Sequence, residues 1–360
     1  MSAGTGNRAP GAAEPATAAG PGRGGGRIAL PRGRAQWVDF VFRFQSLFGL
    51  IAVLIAAVVF SPRRGGEVLF LTEVNLTNIV RSVSEIGIIA IGLTFVILVA
   101  GIDLSVGAVL GLAATAVAVL LMDNDWALVP AITLVLAIGL AFGALQGLIS
   151  TRLGIQSFIV TLAGLQVARG LARIWSGGQG VPLAYGDGPG VAPDAFSVLN
   201  QRILGDHVPV PALIFIGVAI VAIFVLRKTT FARHVYAIGG NERAARLSGV
   251  PVARVKVAVF AIAGLLAALA GIIHAGQLNQ GSPNDGIGYE LDAIAAVVIG
   301  GTSLMGGSGT VVGTLAGALL LGILNNILAL NNIDANVQLL IKGLVIVAAA
   351  ALLALRRADD

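Results

Sequence analysis

Cysteine is absent from all 360 residues. That excludes disulfides, thiolate zinc sites and thiol nucleophiles. Charge is scarce as well: Asp, Glu, Lys and Arg make up 11% of the chain, against about a quarter of a typical soluble domain. No phosphate-binding loop is present. Lys228 and Thr229 follow Arg227 where that motif requires glycine, so the chain has no means of hydrolysing ATP by that route. A metalloprotease HExxH helix is missing. The run Gly306-Gly307-Ser308-Gly309-Thr310 fails the GxSxG serine motif at its last position. His207, His234 and His274 are scattered along the sequence. These absences argue against an enzyme, and no catalytic residue or metal ligand is expected.

What remains is apolar. Hydrophobic residues make up 56% of the chain, and a bilayer is the solvent that suits them. A membrane helix needs about 20 mostly apolar residues. That rule picks out ten segments: 45–60, 79–100, 104–122, 128–149, 157–175, 210–226, 257–275, 291–305, 311–330 and 337–355. The eighth is short and rich in small residues. Residues 1–36 read differently. They are rich in Gly and Pro, with five arginines and one acid, Glu14, and cannot bury enough apolar surface to offset their ordering entropy. They are expected to form a disordered cytosolic tail, with residues 37–360 forming the transmembrane domain.

One long polar stretch interrupts the apolar spans and sets their orientation. Residues 227–256 carry Arg227, Lys228, Arg233, Arg243, Arg246, Arg254 and Lys256 against one acid, Glu242. Cytoplasmic loops are enriched in Lys and Arg, so this loop is expected in the cytosol. Counting spans in both directions then puts both termini inside. Asp285 and Glu290 fall outside, as does the long 176–209 loop. Within the basic loop, Asn241 can cap a short helix from Glu242 to Leu247, which Gly249 and Pro251 stop. Such a helix is a handle for a partner, although a solvated basic loop that only sets orientation fits the same residues. The net charge of +5 suits an anionic inner leaflet. No base-reading or stacking surface for nucleic acid is evident.

Polar residues inside the apolar spans form the other candidate set. Asp103 sits between two spans, with Gly101 and Gly107 on either side. It reads either as a pathway residue, since ionisable groups at membrane depth usually face a cavity or partner, or as the N-cap of the third helix at the cytosolic surface. Gly101, Leu104 and Gly107 align at a 200-residue offset with Gly301, Leu304 and Gly307, which would fit a parallel repeat. Glu85, Gln146, Gln166, His274, Asn325, Asn326 and Lys342 read mainly as ties between helices. Glycine spacings such as Gly143–Gly147 and Gly313–Gly317 allow close packing.

Three stretches also resemble a family. YAIGGNERAARLSGVPV, AGIDLSVGAVLGLAA and IGGTSLMGGSGTVVGTLAGALLLGILNN are similar to signatures of the permease subunits of ribose-type sugar ABC importers. The resemblance implies an all-α polytopic bundle of about ten helices in a bacterial plasma membrane. It implies a monosaccharide as cargo and no cofactor in this chain, with ATP and Mg2+ held by a cytosolic ATPase partner. An extracytoplasmic sugar-binding protein and a second permease subunit, identical or paralogous, complete the implied assembly. Gly239, Gly240, Asn241, Glu242, Ala244, Ala245, Arg246 and Gly249 are then the ATPase-coupling loop, with Ala244 and Ala245, about 100° apart on the helix, both touching a groove that wraps it. Asp103, Ser105, Gly107, Thr302, Ser303, Asn325 and Asn326 become candidates for the translocation pathway. An ion-coupled transporter working without an ATPase is the alternative, and it would need Asp103 or Glu85 as its ion site.

Overall fold

The computed structural model describes residues 45–203 and 205–358; the 1–36 tail lies outside them. Twelve helices are formed there: α1 Gln45–Val59, α2 Glu73–Leu98, α3 Val106–Met122, α4 Leu128–Leu153, α5 Ser157–Trp175, α6 Val210–Lys228, α7 Thr230–Gly240, α8 Glu242–Leu247, α9 Val252–Leu278, α10 Tyr289–Ile299, α11 Val311–Leu330 and α12 Ala335–Ala358. The ten apolar segments coincide with α1–α6 and α9–α12. Of the described helices, six are long and apolar enough to cross a membrane: α2, α4, α5, α6, α9 and α11.

The centre is built from α2, α3 and α9. Residues 106–121 of α3 are buried on every side, because Gly107, Ala108, Gly111, Ala113, Ala114, Ala116 and Ala118 let neighbouring backbones approach. The Gly139, Gly143 and Gly147 face of α4 meets α9, and a Cβ on Gly139 would lie 2.6 Å from the Gly264 carbonyl oxygen. Gly313 and Gly317 of α11 pack in the same way against Gly300 and Ala296. The outer faces of α4, α5 and α6 expose large apolar side chains such as Leu145, Ile174, Ile220 and Phe224, as lipid-facing helices do.

Two stretches break the helical pattern inside this bundle. Residues 99–105 join α2 to α3 without helix, and residues 279–288 join α9 to α10. The second was expected to be an external loop. Instead it runs back into the protein alongside α3. A Cβ on Gly281 would lie 2.9 Å from Ala118 Cβ, one on Gly111 would lie 2.6 Å from the Asp285 carbonyl oxygen, and Gly286 abuts Gly107. Asp285 and Glu290 are therefore drawn into the helix bundle. α10 has only 11 residues, about 16 Å of helix, which is too short to span about 30 Å of hydrocarbon.

Three two-stranded pairs add a little β structure to an otherwise helical chain. In one, Val181 and Pro182 from the 176–209 loop pair antiparallel with Gly281 and Gln280, so that loop pins the re-entering stretch. The repeat suggested at a 200-residue offset is not a structural one. Gly107 lies in α3, whereas Gly307 occupies a turn at φ +73°.

Candidate functional site

The basic stretch folds into α7, α8 and the start of α9. Thr229 caps α7 by accepting from Ala232 N, and Asn241 Oδ1 accepts from Ala244 N at 2.9 Å to cap α8. Gly249 ends the turn at φ +82°, a left-handed conformation that glycine adopts without strain, and Pro251 precedes α9. Glu242 joins the pieces. Its carboxylate accepts from Arg246 at 3.0 Å and from Lys256 on α9 at 2.6 Å. The Lys256 hydrogen bond holds this carboxyl below the ordinary glutamate range.

Ala244 and Ala245 do not share a face. Adjacent helical residues point about 100° apart. Ala245 turns into the apolar core, 5% exposed, while Ala244 stays exposed. The outward face carries Arg243, Ala244 and Leu247, and Leu247 is 82% exposed. An apolar side chain so open beside cations suits a partner surface rather than a solvated loop.

Gly239 has the tightest surroundings in this region. A Cβ there would collide with the Leu98 carbonyl oxygen and the Gly307 amide nitrogen. Gly307 N itself donates to Leu98 O at 3.0 Å, and Tyr236 Oη donates to Gly309 O at 2.9 Å. The end of α7 is thus wedged between the end of α2 and the 300–310 turn. Gly240 is open on its outer side. A cavity of about 970 Å³ separates Glu242 and Arg246 of α8 from Gly101 and Ile102.

Asp103 is neither at a surface nor in the helical N-cap position. It is 1% exposed, and its Oδ1 accepts from Ser105 N at 2.8 Å and from Ser105 Oγ at 2.7 Å. Ser105 Oγ accepts in turn from Gln146 Nε2 of α4 at 2.9 Å. Ser157 and Thr161 of α5 take the Ile102 and Leu104 amides at 3.1 and 3.2 Å. Amides of the non-helical 99–105 backbone are therefore satisfied by the Asp103, Ser157 and Thr161 side chains, as backbone at membrane depth must be.

Gly107 sits one helical turn on, against Gly286 and Glu290. There the second break is held by charge. His274 of α9 contacts Glu85 of α2 at 2.8 Å and Asp285 at 3.7 Å, and Tyr289 meets the imidazole edge-on at 5.9 Å. Arg169 of α5 donates to the Pro283 carbonyl at 2.7 Å. This cluster was not foreseen, because Glu85 and Arg169 are distant in sequence from His274 and Asp285, and Asp285 read as external.

The remaining pathway candidates separate. Thr302 and Ser303 form the tight 300–310 turn, where Ser303 N donates to Ser308 O at 2.9 Å. Asn326 pairs with Asn75 of α2 through two amide bonds of 3.0 and 2.7 Å. Asn325 and Asn326 both line a cleft between α2, α10, α11 and α12. Among the described residues no group of His, Cys, Asp and Glu is arranged to hold a metal.

Comparison with known proteins places this architecture. Residues 75–350 match the family model described as branched-chain amino acid transport system / permease component. The ribose import permease protein of Haemophilus influenzae is 42% identical over 311 residues, covering 86% of this chain and 92% of the relative. That of Bacillus subtilis is 42% identical over 310 residues, covering 84% and 90%. The L-arabinose transport system permease protein of Escherichia coli K12 is 38% identical over 323 residues, covering 85% and 90%. No solved structure matches. The chain belongs to this family of membrane permease components.

Proposed function

We propose that the chain is the membrane-spanning permease subunit of an ATP-binding-cassette importer for a monosaccharide, with pentoses as the first candidates. The relatives are ribose and arabinose permease proteins, and the same class is expected here. ATP and Mg2+ are held by a cytosolic ATPase partner, an extracytoplasmic binding protein delivers the sugar, and a second permease subunit completes the pathway. Nine of the apolar segments cross a bacterial inner membrane, and the re-entering 279–288 stretch crosses together with α10, leaving both termini inside, 227–256 in the cytosol and 176–209 outside.

The observation that carries this reading is the junction of Gly239, Leu98 and Gly307. α8 offers an outward face of Arg243, Ala244 and Leu247 to a partner. α7 connects that face to the end of α2, where the first interrupted stretch begins, and to the 300–310 turn that follows α10. A partner that binds one arrangement of α7 and α8 more tightly than another shifts the population between access states. The chain's own residues transmit this shift and perform no covalent chemistry.

The test is reconstitution. Purified alone, the chain should turn over no ATP. With its ATPase and binding protein in vesicles, it should accumulate a pentose only when ATP is supplied on the ATPase side. Ala244→Trp should overpack the outward face by about 1–3 kcal/mol, and so lower ATPase co-purification and uptake together. Uptake driven by a proton or sodium gradient without any ATPase would replace this reading with an ion-coupled one.

A further inference from the structure

Between α2, α10, α11 and α12 lies a cleft of about 350 Å³, at the small end of the roughly 300–1,000 Å³ seen for ligand pockets. Asn78, Ser82, Asp292, Asn325, Gln338 and Lys342 line it. Its walls belong to the first turns of α2 and α12 and the last turns of α11. The opposite end of α2, at Leu98, meets the Gly239 junction, so the cleft lies toward the other side of the bundle from α7 and α8.

Two features mark it as more than helix packing. Asn325 Oδ1 is buried and has no hydrogen-bond partner, an arrangement that is costly unless a ligand or water completes it. Neighbouring Asn326 lines the same cleft and shows the contrast, since both its Oδ1 and its Nδ2 are bonded to Asn75. The second feature is the ion pair between Lys342 Nζ and Asp292 Oδ2 at 3.0 Å. Ionisable groups on membrane helices are expensive, face a cavity or partner, and mark substrate routes.

The lining also selects a ligand class. Lys342 and the amides of Asn78 and Gln338 donate, whereas Asp292 and Asn325 Oδ1 accept. A hydroxyl does both, so a compact polyhydroxylated molecule can satisfy donors and acceptors at once. The Lys342–Asp292 pair leaves the cleft without net charge, which disfavours a free cation or anion. Ile86 and Leu321 supply an apolar wall for the C–H face of such a ring.

We propose that this cleft is a sugar-binding site, the place where the permease first takes hold of a monosaccharide arriving from the α2 N-terminal side. The proposal rests on the importer reading above and adds the residues that would hold the cargo. Nothing in it requires α8 or the Gly239 junction to change.

The experiment uses the complete importer in vesicles with a panel of radiolabelled ribose, arabinose and xylose. Asn325→Leu should lower uptake about tenfold, the size of one lost hydrogen bond in a dry site, with ATPase co-purification unchanged. Gln338→Ala should change the order of preference among the three sugars, which a purely structural role would not do. A third arm tests occupancy without relying on either variant. Ser82→Cys gives a single thiol in a cysteine-free chain, and a membrane-impermeant thiosulfonate should label it more slowly when ribose, or whichever panel sugar is transported best, is present. Wild-type-like uptake by Asn325→Leu, an unchanged order with Gln338→Ala, or labelling that no sugar slows would each overturn the site. If the wild-type importer takes up none of the three sugars, the pentose reading of the function falls and the site falls with it.

Discussion

The two stretches that interrupt the bundle, 99–105 and 279–288, solve one problem with different chemistry. Both carry non-helical backbone through buried surroundings, where every amide needs a partner. The first is met mainly by hydroxyl and amide groups: Ser105 with Asp103, Gln146 behind them, and Ser157 and Thr161. Asp103 is its one ionisable member, and it spends its hydrogen-bonding capacity on a residue two positions away. The second is met by long-range charge, with Glu85, His274 and Asp285 in contact and Arg169 donating to Pro283 O. The Asp103–Ser105 bonds travel with their own loop, and only α4 and α5 add to them. A cluster drawn from α2, α5, α9 and the re-entering stretch ties four parts of the chain together, so the second break is the more rigidly placed of the two.

The largest test of that difference is His274→Leu. It leaves Glu85 buried beside Asp285 without the imidazole, and removing one partner of a buried pair costs about 3–5 kcal/mol. The purified variant should melt far below wild type or fail to accumulate. A wild-type melting temperature would show that the cluster does not hold the second break. Next comes Gly107→Val, which touches both breaks because Gly107 abuts Gly286 and Glu290. Overpacking there should cost about 1–3 kcal/mol, read from the same thermal unfolding.

Asp103 gives a smaller effect with its own internal control. Asp103→Asn keeps an acceptor oxygen for Ser105 and should cost less than about 1 kcal/mol, whereas Asp103→Ala strands the Ser105 amide at about 1–3 kcal/mol. If Asp103→Asn proves as damaging as His274→Leu, the contrast between a break met mainly by hydroxyl and amide groups and one met by charge is wrong. Should Asp103→Asn keep its melting temperature yet lose uptake, Asp103 takes part in transport as well as in structure.

The smallest effect concerns Glu242, outside both breaks. Its carboxyl is held below the ordinary value of 4.5 by Lys256. A depressed carboxyl contributes stability that is present above the unfolded value and is lost as pH falls through the folded one. A spin label on Ser248→Cys should therefore gain mobility only below about pH 4.5, and Glu242→Gln should abolish that pH step. Loosening at neutral pH in the wild-type background would sink the tether.

How far the sequence revealed this depends on how local each cause is. α5 and α11 could be read to the residue, since apolar length and flanking Gly, Pro or polar residues are local. So could the Asn241 cap and the extent of α8. The burial of Ala245 could not be read, because a helix of 6 residues has too little periodicity to show which alanine faces inward. The 279–288 stretch misled for a different reason. Asn279, Ser282, Asn284, Asp285 and Glu290 look like a water-exposed loop, and the groups that make burial tolerable, Glu85, Arg169 and His274, are distant in sequence. Asn325 and Asn326 looked equivalent as neighbours, yet in the cleft they share Asn326 is paired with Asn75 while Asn325 Oδ1 is left open.

The brevity of α10 bears on how the protein is made. A segment of 11 residues is too short to be inserted as a membrane helix in its own right. Its approach from α9 passes through ten residues that gain their partners from helices synthesised much earlier, and Val181 and Pro182 must already stand ready to pair with Gly281 and Gln280. α10 is therefore expected to settle late, once α9, α11 and the 176–209 strand that pairs with 280–281 are there to hold it. A chain arrested just after residue 300 should leave position 284, tagged as Asn284→Cys, open to an impermeant thiol reagent. The finished chain should protect it once α11 and α12 are in place. On this view the last two helices complete a segment that was synthesised before them.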